Sequence, residues 1–357
     1  MTYMKETTRT KAVPSAQGLS SKARLLARLR EKQGEFVGGS VLAKDMGISR
    51  VAVWKTVQSL VEAGYSIETG DSGYLLDPKK EKDFLYPWEF SERELLFCHY
   101  KNTDSTMDRA RELALRGAAG GTVITAEKQS AGRGRSGRTW ISRQGGLFFT
   151  ILERPRLAIA DYTLLSLIVQ ISVVRIISLI CGKKAYLRWP NDVYINGRKI
   201  AGVTTEISGE GDLITWLSCG IGVNVNNPVP SVKAASCSEI SGHELSRREI
   251  LEKILTEIEK VKNTFNIQAA YSQGNRVLAA EWNSLADCVG AKAVVFEPAP
   301  GKKDEESEKK PVKILARGVF QGIDPAGRGI IKTDGKKGNL YFNQGAVSMA
   351  FLNTDNR

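Results

Sequence analysis

The sequence predicts an α+β chain in three successive parts: a small helical unit closed by a hairpin, a larger mixed-sheet domain, and a run of short strands fit to close as a small β-barrel. Three observations carry this. Residues 19–77 show helix-period apolar positions broken by cap and turn residues. Residues 84–280 alternate helical and strand signals, and residues 281–353 hold short strands separated by Gly and Asp. A chain of 357 residues is long enough for two or three domains.

In the first part, residues 19–33 (LSSKARLLARLREKQ) place Leu25, Leu26 and Leu29 at helical spacing. Ser40 is the expected N-cap of a second helix over VLAKDM, Gly47 the turn, and Ser49 the cap of a third helix from Arg50 to Ala63. That third helix is expected to bury Val53, Val57, Leu60 and Val61, and Gly64 to close it. Residues 65–76 alternate and turn through Gly70-Asp71-Ser72-Gly73, as a hairpin does. Helix, helix-turn-helix and hairpin in this order make a winged helix. Residues 1–80 hold 13 basic and 8 acidic residues, a local excess of five positive charges. Ser49, Arg50, Lys55 and Gln58 are the expected contacts to phosphates and base edges, although a winged helix serving only protein contacts fits the pattern too. Residues 77–90, rich in Pro and charge, read as a linker.

The whole chain carries a formal charge of +12, which favours an anionic partner without naming one. Its five cysteines show neither a CxxC pair nor metal-ligand spacing, the pattern of reduced thiols in a cytoplasmic protein. Residues 1–16 are polar and basic with no apolar centre, unlike a signal peptide. The apolar run 164–181 contains Gln170 and Arg175 and barely reaches spanning length, so a helix buried against a sheet is expected and no membrane partner. The charged run 301–310 (GKKDEESEKK) is expected to be a solvated hairpin loop.

Chemistry concentrates in four strings. Residues 132–140 read GRGRSGRTW, between a strand-like TVITAEKQ and an apolar GGLFFTIL. Gly132 and Gly134 let the backbone approach an anion, and Arg133 and Arg135, two apart in an extended stretch, are expected to converge on one ligand. Trp140 offers a flat surface for a purine. The same composition also suits a flexible RNA-binding segment, but its place between two strands favours an ordered or ligand-ordered loop. Residues 188–192 (RWPND) end a strand in a turn, Lys199 precedes a strand, and Gly220, Gly222 and Asn224 form a GxGxN suited to packing against a flat ligand. There is no GxxxxGK[ST] phosphate loop and no strand–helix context for a dinucleotide fingerprint. His99 and His243, the only histidines, lie in no motif that activates a nucleophile.

Taken together and in this order, the strings resemble the biotin–protein ligases over about residues 20–350, and the winged helix marks the resemblance as one to bifunctional repressor-type members. The GRGRSGRTW string is the most specific match. The resemblance implies a class II synthetase-like catalytic domain and an SH3-like C-terminal barrel. It implies that Ser105, Thr106 and Gln129 bind the ureido end of biotin. Gly132, Arg133, Gly134, Arg135, Lys199, Gly220 and Gly222 would complete the biotin and phosphate site. Arg133, Arg135, Arg138, Trp140, Asn191, Lys199 and Asn224 would take the ATP or adenylate. Arg135, Lys199 and Asp192 would be catalytic, with Asp192 beside Mg²⁺ carried by ATP. The implied reaction joins biotin to AMP and passes it to a lysine of the biotin carboxyl carrier protein of acetyl-CoA carboxylase. Fixed positive charge then matters more than a protein nucleophile. Operator DNA and a ligand-promoted homodimer are the other implied partners.

The chain departs from the family pattern at three places. Met107 stands where Asn usually follows Ser-Thr, and Arg188 where a lysine usually precedes WPND. Ala350 stands near an arginine often found in the last strand, so a C-terminal contact to the adenylate is not carried over. Two alternatives stay open at this point: a lipoate- or octanoate-handling relative, and a regulator that senses biotin without ligating it.

Overall fold

A computed structural model describes residues 19–264, 273–297, 313–333 and 338–352. The segments 1–16 and 301–310 discussed above lie outside the described residues. The chain divides into two units, Met1–Phe97 and Cys98–Arg357.

The first unit holds three helices, α1 (Ser21–Glu31), α2 (Gly39–Met46) and α3 (Arg50–Glu62), and a hairpin of β1 (Ile67–Gly70) and β2 (Gly73–Leu76). Ser20 caps α1 through its hydroxyl, which accepts from the Ala23 amide at 3.2 Å, and Ser49 caps α3 likewise from Ala52 at 3.1 Å. α2 starts two residues earlier than its sequence suggests: Gly38 is the N-cap, and Ser40 lies inside the first turn. Gly47 ends α2 in the left-handed region at φ 63°, which a residue without Cβ adopts cheaply. Leu25, Leu26, Val53, Val57 and Leu60 are fully buried in the shared core. Val61, expected to be buried with them, is 41% exposed, because it falls beside the seam that positions 53, 57 and 60 define.

The segment read as a linker is part of this unit. Leu85 is fully buried, and Phe84, Tyr86 and Trp88 pack on the three-helix core. Glu89, also buried, accepts from Tyr65 and pairs with Arg30 at 2.9 Å, while the Trp88 indole donates to the Tyr65 hydroxyl at 2.9 Å. Sequence composition counts the charges here but not their partners, 24 and 59 residues away from Glu89.

The second unit is built on a seven-stranded sheet, ordered β3 (Phe97–Thr103), β4 (Thr122–Gln129), β5 (Leu147–Glu153), β9 (Leu213–Val223), β8 (Arg198–Glu210), β7 (Asp192–Ile195) and β6 (Tyr186–Arg188). Helix α4 (Thr106–Leu115) packs on β4, β5 and β9. The apolar helix α5 (Thr163–Cys181) is covered by β6–β8 and by α6 (Cys237–Ser241), α7 (Arg247–Thr264) and α8 (Gln273–Ser284). Its charged residue and its one side-chain amide find partners. Arg175 pairs with Glu257 and Glu281 at 2.8 Å each, and Gln170 accepts from the Trp282 indole at 2.9 Å.

After α8 the chain forms an antiparallel sheet ordered β13 (Asn339–Phe342), β12 (Gly329–Thr333), β11 (Ile314–Ile323), β10 (Lys292–Phe296) and β14 (Ser348–Leu352). Four of these strands follow the sequence pattern, and β14 completes the sheet. The pairing runs in an open order from β13 to β14, around buried Val295, Phe320, Ile331 and Val347.

Candidate active site

A cavity of about 420 Å³ opens over the middle of the large sheet. Its floor is set by register. Gly202 on β8 faces Gly222 on β9, and Thr204 faces Gly220, so four residues two apart open on one face. Without side chains, two glycines make room for others. A Cβ at Gly222 would come within 2.5 Å of the Trp140 ring, and one at Gly220 within 2.6 Å of the Met107 sulfur. The indole therefore lies against the two central strands, tied through its amide to the Gly132 carbonyl at 2.8 Å.

Strand β4 and the start of α4 build one end. The Gln129 carbonyl accepts from the Thr106 amide at 2.8 Å and from its hydroxyl at 3.1 Å, and the Gln129 amide donates to Ser142 at 2.8 Å. Thr150 on β5 donates to Thr106 at 2.8 Å. Ser105 caps α4 and is buried at the cavity wall. This chain of fixed donors and acceptors is what a small polar head group needs for orientation. Ser142 and Thr150 belong to no recognisable string, and only strand pairing brings them here.

The opposite end is cationic. Lys199, the second residue of β8, pairs with Asp192 at 2.7 Å and sits 5.2 Å from the Trp140 ring centre. Arg135 donates to the Val347 carbonyl at 3.0 Å, and Arg138 to the Ser348 hydroxyl at 2.8 Å. Burial pulls the Arg135 pKa down to about 10; Asp192 opposes the shift and Arg138 adds to it. Arg135 thus remains charged at neutral pH while poorly compensated. Lys233 also lines the cavity, and its carbonyl accepts from the Lys199 amide at 2.9 Å. Nothing in the sequence singles it out. Among the described residues Arg135, Arg138 and Lys233 have no carboxylate within salt-bridge distance, so the cavity presents unneutralised cations to an incoming anion.

Two expectations need correction. Arg133 and Arg135 both line the cavity, but not from an extended stretch: the backbone turns at Arg135–Gly137, and Arg133 pairs with Asp108 on α4. Asn224 is not among the residues lining the cavity: it is buried and accepts from Asn227 at 3.1 Å. Arg188 keeps the positive charge of the position but not its freedom. Asp287 binds it at 2.6 and 3.2 Å, and Tyr194 lies under the guanidinium at 4.1 Å. Asn191, by contrast, lines the cavity and donates to the Val203 carbonyl. Ala350 lines it as well, so the last strand does reach the site.

Known proteins give the same picture. The Biotin/lipoate A/B protein ligase family matches residues 100–224, and an HTH domain matches residues 22–75. The Bacillus subtilis bifunctional ligase/repressor BirA is 33% identical over 255 residues, covering 66% of this chain and 76% of that protein. Its Escherichia coli counterpart is 26% identical over 322 residues, covering 85% of this chain and 90% of that one. Among solved structures, the biotin protein ligase of Aquifex aeolicus in complex with biotin and ATP aligns with TM-score 0.57 and 27% identity, over 72% of this chain and 99% of that one. With its HTH unit, its ligase sheet and the motif residues gathered at one cavity, the chain belongs to the biotin–protein ligases, among the bifunctional ligase/repressors.

Proposed function

We propose that this protein activates biotin with ATP to biotinyl-5′-AMP and transfers biotin to a lysine of the biotin carboxyl carrier protein of acetyl-CoA carboxylase. The observation that carries the reading is the polarity of the cavity. One end is a fixed hydrogen-bond chain through Ser105, Thr106 and Gln129, and the other holds Arg135, Arg138, Lys199 and Lys233. The first end suits the ureido group. The second stabilises charge that builds as the biotin carboxylate attacks the α-phosphate, a task for preorganised cations. Pyrophosphate leaves, and the carrier lysine then displaces AMP from the mixed anhydride.

The donor set fits a magnesium ion that arrives on the triphosphate. Among the described residues no three His, Cys, Asp or Glu side chains cluster, and Asp192 is the single carboxylate among the lining residues. Asp192 is the group that would face such an ion, which would offset the charge of the leaving pyrophosphate.

In the same proposal the winged helix is a biotin-responsive repressor. Bound adenylate supplies the anion that the arginine-rich loop lacks, favours a homodimer, and brings two winged helices to two operator half-sites. The five-stranded sheet serves as the small SH3-like barrel of the ligase, and its β14 closes the cavity at residues 348–351. The five cysteines, all free, suit a cytoplasmic protein.

The test is incubation with labelled biotin, ATP, Mg²⁺ and a biotin carrier domain. Wild-type protein is expected to label the carrier, and Arg135→Ala to slow adenylate formation by about 100- to 1,000-fold, the scale of one lost transition-state donor. Labelled adenylate without transfer would leave a sensor that no longer ligates, and preference for lipoate or octanoate would assign the chain to that chemistry instead.

A further inference from the structure

Helix α3 carries an outer stripe that neither the core nor water explains. Its inner face is Val53, Val57 and Leu60, all fully buried. On the other side Val51 is 62% exposed and Trp54 51%, with exposed Arg50 and Lys55 beside them. Positions 51, 54, 55 and 58 follow the i, i+3, i+4, i+7 spacing of one helix face. The helix holds no acidic residue before Glu62, its last position. The stripe is thus apolar and cationic at once. A large indole left half in water is costly surface, and no aspartate or glutamate on α3 balances the flanking cations until the helix ends.

We propose that Val51 and Trp54 read thymine 5-methyl groups in the major groove of the operator, between phosphate contacts made by Arg50 and Lys55. The inference rests on the repressor reading of the first unit. Its occupant is duplex DNA because the stripe requires an anionic partner that also offers apolar groups at fixed positions. The major groove provides this: phosphates line its walls, and the thymine methyl is the apolar group displayed on base edges. Residues in the first half of a recognition helix are those that reach base edges. Ser49, Arg50, Lys55 and Gln58 supply polar contacts, and Val51 and Trp54 add the apolar ones that distinguish thymine from cytosine.

The experiment uses the full-length protein with biotin, ATP and Mg²⁺. A binding sequence is selected from a random duplex pool, and each thymine in it is then replaced by deoxyuridine, which removes only the methyl group. At one or two thymines per half-site the replacement is expected to weaken binding about fourfold, the scale of one buried methyl. Trp54→Ala, checked for an unchanged melting temperature and for carrier biotinylation, is expected to lose that sensitivity, and Trp54→Phe to keep part of it. Val51→Ala gives a second, smaller truncation should Trp54→Ala fail to fold. Indifference of the wild type to every deoxyuridine overturns the inference while the repressor reading stands. Equal sensitivity in Trp54→Ala and wild type also overturns it, and an altered oligomeric state in that variant would then make the stripe a contact between copies. If no sequence emerges from the pool, the repressor reading falls and this inference with it.

Discussion

Replacing Gly222 by Ala tests the packing of the active-site floor. The added Cβ would meet three atoms of the Trp140 indole at 2.5, 2.6 and 2.8 Å. Ordinary carbon contacts lie near 3.5–4.0 Å, so the ring must retreat by about 1 Å. It is a rigid ring whose backbone is tied to Gly132, so the displacement passes into the loop carrying Arg133, Arg135 and Arg138. Overpacking of this kind costs about 1–3 kcal/mol. If the cost falls on the liganded arrangement, adenylate formation slows by about five- to 150-fold. Two neighbours provide internal controls. A Cβ at Gly220 would meet the Met107 sulfur at 2.6 Å, but a thioether swings aside more easily than an indole. A Cβ at Gly202 would meet Trp140 at 3.2 Å and Asp192 at 3.4 Å, a matter of a few tenths of an ångström. The expected order of loss is therefore Gly222→Ala, then Gly220→Ala, then Gly202→Ala. The assay is pyrophosphate release with biotin and ATP, with melting temperatures to establish that all three fold. Wild-type rates in Gly222→Ala, or a greater loss in Gly202→Ala, would refute the reasoning.

Two further predictions concern stability. Burial is the main cause that lowers the His99 pKa from 6.5 to about 4, so the folded state binds its proton less readily than the unfolded chain. The resulting stability, up to about 3 kcal/mol, is present above pH 6.5 and lost as the pH falls towards 4. The melting temperature is expected to fall through that window by less in His99→Gln, and equal falls would remove His99 from the account. Asp287→Ala leaves the Arg188 guanidinium buried without its carboxylate, with an expected loss of about 3–5 kcal/mol in denaturant unfolding. A loss below about 1 kcal/mol would show that Tyr194 and solvent suffice to hold that charge.

Much of the fold was legible because local chemistry fixes local structure. Ser49 caps α3, Gly47 turns left-handed before it, and Leu25, Leu26, Val53, Val57 and Leu60 recur at the helical period, so the winged helix follows from neighbours in sequence. Strands β4 (TVITAEKQ) and β5 (LFFTILE) likewise follow from short runs rich in β-branched and aromatic residues. Long-range partners were not legible. The 77–90 segment reads as a linker until Arg30 and Tyr65 are seen to hold Glu89, and the carboxylate that binds Arg188, Asp287, lies 99 residues away.

The candidate site divides in the same way. Composition and spacing suffice to say which residues carry charge and which lack side chains: Arg133, Arg135, Arg138, Lys199, Gly202, Gly220 and Gly222. Which of them meet depends on long-range strand pairing. The register of β8 on β9 places Gly202 opposite Gly222 and opens room for Trp140, and the turn at Arg135 pairs Arg133 with Asp108 at the cavity wall. Lys233 reaches the cavity because its backbone pairs with Lys199, a contact that no local pattern encodes. The physical reason is range. Caps, turns and amphipathic periods act over about four residues, whereas a site assembled from six strands, a helix start and a loop depends on which distant segments the fold brings side by side.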